Sequence, residues 1–133
     1  MDLYGLFEKI SVEKAKQLSP ITLAFVGDAV YSLYIRSREV LTVDRKPADL
    51  QKRTSEVVSA KGQSALLERV EGKFTPDEEG IYHRGRNAKK ATKSKNASVI
   101  DYNRSTGFEA VLGYLYLTGQ YDRISEIIQE DGQ

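Results

Sequence analysis

Apolar residues recur along this chain at helical spacing, and no stretch alternates with period two for long enough to predict a strand. Leu3, Leu6, Phe7 and Ile10 predict a short amphipathic start. Ser11 caps a second short helix through Leu18, with Glu13 and Lys14 in its first turn. Ser19-Pro20 joins a capping residue to a proline at the first helical position and opens a helix to about Ser37. That helix is apolar on most faces and is expected to be the central, buried one. Pro47 opens a long helix with Leu50, Val57, Val58, Ala65, Leu66 and Val70 on one face, interrupted near Gly62. The stretch from Glu71 to Pro76 is a turn, and Thr75 with Glu78 forms a capping box for the next helix. Lys93 to Ser98 reads as loop. Ser105 or Thr106 opens a second strongly apolar helix, which Gly119 ends, and Tyr121 to Ile128 forms a last amphipathic helix. The expected fold is all-α, a single domain over residues 1–133 with no repeat and no linker.

Two carboxylates break this pattern. Asp28 stands inside the apolar run Pro20 to Ile35, and Glu109 inside the run Ser105 to Leu117. A carboxylate in a packed helix is costly unless something compensates it. Each lies near a glycine, Gly27 and Gly113. Glycine inside a helix costs roughly 1 kcal/mol relative to alanine, and close helix packing is the expected compensation. The two helices are therefore expected to approach closely and share a cation. An all-oxygen site with no sulfur or imidazole suits Mg²⁺ or Mn²⁺. The alternative is that Ser, Thr, Tyr or Lys partners satisfy both carboxylates within a helical core. The residues alone leave these two readings level.

Composition narrows the field. The chain has no cysteine, which excludes disulfides, thiolate metal sites and cysteine nucleophiles. No apolar run is long enough to span a bilayer and the N-terminus does not look like a signal peptide, so a cytoplasmic protein without a membrane role is expected. The net charge of +1 hides an asymmetry. Arg84, Arg86, Lys89, Lys90, Lys93 and Lys95 follow His83 with no acid among them, which leaves the rest of the chain at −5. Concentrated positive charge is the footprint of a polyanion partner. The plainer reading is a solvated basic loop. His83, the single histidine, suits a surface or phosphate-contacting role better than general-base catalysis. Gly-rich phosphate loops, zinc-protease motifs and nucleophile elbows are absent.

Phe25-Val-Gly-Asp-Ala-Val30 resembles the helix signature of the ribonuclease III endonuclease domain. Thr106-Gly-Phe-Glu-Ala-Val-Leu-Gly-Tyr-Leu-Tyr116 resembles that family's second signature. Order, separation and glycines all match. His83-Arg-Gly-Arg-Asn-Ala-Lys89 is similar to the Mini-ribonuclease III subfamily of stand-alone catalytic domains, which lack a double-stranded-RNA-binding domain. The resemblance covers essentially the whole chain. It departs at Ile21 and Ala24, where classical members carry glutamates, and at Thr106, where they carry aspartate. Only Asp28 and Glu109 carry over as metal ligands and catalytic residues. Thr106 is left as a candidate to hold a water of the ion's shell.

The resemblance implies a homodimeric, Mg²⁺-dependent endoribonuclease, with Mn²⁺ as the other candidate ion. It implies cleavage of double-stranded RNA to 5′-phosphate and 3′-hydroxyl ends, and a role in maturing precursor 23S ribosomal RNA. Arg84, Arg86, Lys89, Lys90, Lys93 and Lys95 would grip backbone phosphates, with Arg104 a further candidate. A-form RNA is read mainly by shape and backbone, which suits a basic loop. Tyr31, Tyr34, Tyr114 and Tyr116 are either interface residues or filling for the monomer's core. A non-catalytic dimeric relative that binds structured RNA during ribosome assembly is the alternative function. A helical protein-interaction module is a third, with no feature in its favour.

Overall fold

The computed structural model describes residues 8–42, 46–88 and 98–129. The expected helix around Leu3, Leu6 and Phe7, and Lys89, Lys90, Lys93 and Lys95 of the basic segment, lie outside them. The described residues form seven helices and no strand, with α1 at Val12–Gln17, α2 at Pro20–Thr42, α3 at Pro47–Val58 and α4 at Ala60–Val70. One turn of 3-10 helix at Glu71–Lys73 leads to α5 at Pro76–Asn87, followed by α6 at Val99–Leu117 and α7 at Tyr121–Gln129.

The capping chemistry accounts for most of the boundaries. The Ser11 hydroxyl accepts from the backbone N–H of Lys14 and starts α1. At α5 both halves of the capping box form: Thr75 accepts from the Glu78 N–H, and the Glu78 carboxylate accepts from the Thr75 N–H. Gly119, at φ 76°, supplies the left-handed turn after α6. Three expected boundaries are corrected. Helix α2 runs to Thr42 rather than to about Ser37, its last turns held by buried Glu39, which accepts from Arg53 of α3. The long helix from Pro47 is two helices, because Ser59 is extended and caps α4 by accepting from the Gly62 N–H; Ala65 is exposed rather than on the inner face. The Glu109 helix begins at Val99, not at Ser105 or Thr106, because Ser98 caps it through the Asp101 N–H.

The expectation that α2 is the central helix is also corrected. That place belongs to α6, which is buried from Ser105 to Leu115 except at Glu109. It packs against α2, α5, α4, α7 and α1. Helix α2 buries one stripe, Leu23, Ala24, Gly27, Val30, Tyr31, Ile35 and Glu39. Its outer face leaves Phe25, Leu33, Val40 and Leu41 exposed.

Glycines on α6 explain how it holds two long neighbours at once. A Cβ on Gly27 would run into the carbonyl oxygen of Glu109, and one on Gly113 into the carbonyl of Leu23. On another side, a Cβ on Gly85 of α5 would sit 2.8 Å from the Gly107 Cα. One on Gly107 would sit 2.6 Å from the Tyr82 carbonyl oxygen. Both crossings bring backbone against backbone, a separation that only glycine permits.

Side chains fill the rest. Tyr31 stands edge-on to Phe108 with ring centroids 5.3 Å apart. Tyr31 and Tyr114 are core residues, while Tyr34 and Tyr116 are half-buried. Ile124, Ile127 and Ile128 seat α7. Arg123 then locks α7 to α5, with Nε and Nη2 donating to the two oxygens of buried Glu78 at 2.9 Å each, and Nη2 also to the Lys73 carbonyl.

Candidate active site

The α2–α6 crossing fixes where the two carboxylates stand. The Glu109 backbone touches Gly27, so the side chain of the next residue, Asp28, projects beside that of Glu109. Asp28 is exposed, contrary to the buried position expected of it, whereas Glu109 is partly buried. The difference follows from the helices: α2 is an outer helix at Asp28, and α6 is covered almost all round.

Burial pushes the Glu109 carboxyl up from 4.5 to about 8, and the neighbouring Asp28 pushes the same way. A hydrogen bond from Gln63 opposes them. Gln63 Nε2 donates to Glu109 Oε2 at 3.1 Å and to the Val58 carbonyl at 2.9 Å. Its Oε1 is buried without a hydrogen-bond partner among the described residues. Sequence reasoning missed Gln63. The available signal was a polar residue three and four positions before Leu66 and Leu67, on the buried face of α4.

The other reading of the sequence expects Ser, Thr, Tyr or Lys side chains to satisfy the carboxylates. Among the described residues no such group bonds to either one. The described residues also contain no cluster of three or more His, Cys, Asp or Glu side chains able to hold a metal ion. Two adjacent carboxylates are nonetheless enough for Mg²⁺, which keeps several waters and uses one or two protein carboxylates. The donor set carries the fit: two acids packed together, with no cationic side chain beside Glu109 among the described residues, make a place that a divalent ion would relieve.

Thr106 is buried, and its hydroxyl donates to the Tyr102 carbonyl at 3.1 Å. Arg84 directs Nη1 to the Lys16 carbonyl at 3.1 Å and Nη2 to the Leu18 carbonyl at 3.4 Å, closing the end of α1. Arg86 stacks over the Tyr82 ring, 5.6 Å from its centroid. Arg104 pairs with Glu71 at 3.5 Å. His83 lies 3.4 Å from Glu79 on its own helix.

The Ribonuclease III domain family matches residues 21–120, three quarters of the chain, with both carboxylates inside the match. This chain belongs to the ribonuclease III family. Among the family's members, the Mini-ribonuclease 3 of Thermoanaerobacter sp. (strain X514) is 43% identical, over 92% of this chain and 86% of its own. That of Streptococcus pneumoniae (strain ATCC BAA-255 / R6) is 46% identical, over 84% of this chain and 88% of its own. The X-ray crystal structure of a Fusobacterium nucleatum protein shares the fold with a TM-score of 0.77 and 30% identity. That match covers 85% of this chain and 90% of the other. The ribonuclease III signatures of this chain thus meet at the α2–α6 crossing. Of the positions where it departs from classical members, Ile21 is exposed and Ala24 is buried. No described helix is long and apolar enough to cross a membrane.

Proposed function

We propose that this protein is a metal-dependent endoribonuclease that hydrolyses phosphodiesters in double-stranded RNA, with Asp28 and Glu109 holding Mg²⁺. The observation that carries the reading is the backbone contact of Gly27 with Glu109, which sets two carboxylates side by side. Bound there, the ion would polarise the scissile phosphate and make a water nucleophilic, leaving 5′-phosphate and 3′-hydroxyl ends. Glu109 presents a carboxylate oriented by Gln63, and Asp28 faces the solvent side from which the duplex arrives. Mn²⁺ meets the same donor set.

The grip on RNA falls mainly to Lys89, Lys90, Lys93 and Lys95, with Arg86 beside them. Arg84 and Arg104 already contact α1 and Glu71, so they contribute through their charge more than through free donors. The working unit is a homodimer, supported by the exposed apolar residues Phe25, Leu33 and Val40 on α2 and Val99 and Ile100 on α6. Sedimentation should report about twice the chain mass of 14.9 kDa. The substrate in this reading is precursor 23S ribosomal RNA in the cytoplasm, as the resemblance of the sequence signatures to the Mini-ribonuclease III subfamily implies.

The test is cleavage of duplex RNA with and without Mg²⁺, beside single-stranded RNA and duplex DNA. Duplex RNA alone should be cut, and Asp28→Asn should abolish the cut while leaving RNA binding intact. Binding without cleavage in Mg²⁺ or Mn²⁺ would replace this reading with that of a non-catalytic RNA-binding dimer.

A further inference from the structure

We infer that Gln63 is a positioning residue, which holds the Glu109 carboxylate in its ligand rotamer and ties it to the α3–α4 corner. The inference rests on the metal-site reading above and adds to it a residue that neither signature contains.

Three features of Gln63 point the same way. Its side chain is 2% exposed, so the carboxamide cannot turn out to water. Two acceptors face it, the Glu109 carboxylate and the Val58 carbonyl at the end of α3. Both demand the NH₂ end, which fixes the amide's orientation and occupies both of its N–H groups. The remaining oxygen is then buried with no partner among the described residues. If the position only had to be filled, leucine or methionine would fill it without burying an unpaired carbonyl. What the amide supplies is direction: one N–H anchored on backbone, the other aimed at Glu109.

The corner that carries Gln63 is itself rigid. A Cβ on Gly62 would run into the carbonyl oxygens of Glu56 and Val57, so α4 is jammed against the last turn of α3. A neutral donor also suits a cation site better than lysine or arginine would. An ammonium or guanidinium would orient Glu109 but neutralise it, and would compete with the ion for the same oxygens. Gln63 orients the carboxylate and leaves its charge for the ion.

The experiment is calorimetric titration of Mn²⁺ into metal-free protein without RNA, for wild type, Gln63→Met and Asp28→Asn. Methionine conserves the volume and removes the amide. Loss of an outer-shell partner weakens metal binding by roughly 10–100-fold, and that loss is expected for Gln63→Met. In cleavage assays the variant should show a lower kcat at limiting Mn²⁺, recovered at high Mn²⁺, with KM for duplex RNA unchanged. If Gln63→Met does not fold, Gln63→Asn keeps the carboxamide, loses its reach and should show the same weakening. Wild-type Mn²⁺ affinity in a folded Gln63 variant overturns the inference and leaves the site assignment standing. A wild type that takes up no Mn²⁺, or an Asp28→Asn that takes it up equally well, overturns the metal site and the inference with it.

Discussion

Glu109→Gln should stabilise the metal-free protein while destroying its activity. In the folded chain Glu109 keeps its proton until about pH 8, against an ordinary value of 4.5, because it is partly buried and faces Asp28. Between those two pH values the native state binds more protons than the unfolded chain, so stability falls as pH rises through the window. The stability is fully present below pH 4.5 and lost above about pH 8. At roughly 1.4 kcal/mol per pH unit, the ionised Glu109 destabilises the native state by up to about 5 kcal/mol. Glutamine has the same shape, carries no charge, and offers an oxygen to the Gln63 N–H. Urea unfolding in a chelator, at matched protein concentration, should find the variant more stable than wild type at pH 8.5. The difference should shrink toward zero at pH 4.5, where both side chains are neutral. Saturating Mg²⁺ should close the gap from the other side by stabilising only the wild type. A difference that does not change with pH, or a wild type more stable at pH 8.5 in chelator, would refute the account of Glu109 as a charge held against its own fold.

Other consequences can be checked with simpler measurements. Gly27→Ala should lose several kcal/mol, at the upper end of what single substitutions do, since its Cβ meets a backbone carbonyl that cannot give way; circular dichroism melts would show it. Arg123→Met should lose about 3–5 kcal/mol by leaving the buried Glu78 charge without its cation and with only the Thr75 N–H as partner, with kcat at 25 °C unchanged because the pair lies in the α5–α7 contact. Replacing Lys89, Lys90, Lys93 and Lys95 with glutamine should raise KM for duplex RNA and flatten its salt dependence. Each neutralised phosphate contributes a log–log slope of roughly −0.9 on duplex DNA, and an unchanged slope would make the segment a solvated loop.

The helix starts that carry a local signal were legible in the sequence. Ser11, Ser19-Pro20 and the Thr75–Glu78 box each act within a few residues, and each stands where expected. The start of α6 was hidden because Val99, Ile100 and Asp101 mix exposed apolar residues with a polar one, leaving only Ser98 as a signal. The ranking of α2 and α6 failed for a different reason. Their composition is alike, and only the number of neighbours separates them. That number depends on Gly107 meeting Gly85, a contact between segments far apart in the chain. The pairing of Asp28 with Glu109 was legible because each lies close to a glycine of the same crossing. Gln63 was not, because its role exists only once α4 lies on α6. Counting charge found the basic segment, but could not foresee that Arg84 turns its donors to α1 and Arg104 to Glu71.

The Gly27–Gly113 crossing makes the spacing of the two carboxylates a property of the main chain. In a site gauged by interdigitating side chains, each core substitution or rotamer jump would shift the ligands a little. Here two helical rods meet carbonyl to Cα, and the stop is hard. Leu23, Val111 or Leu112 can then drift among aliphatic residues, altering stability while the aperture between the acids stays the same. A divalent ion held there as proposed would tolerate little error in the distance between its oxygens, and the omission of two methyl groups is what would keep that distance fixed.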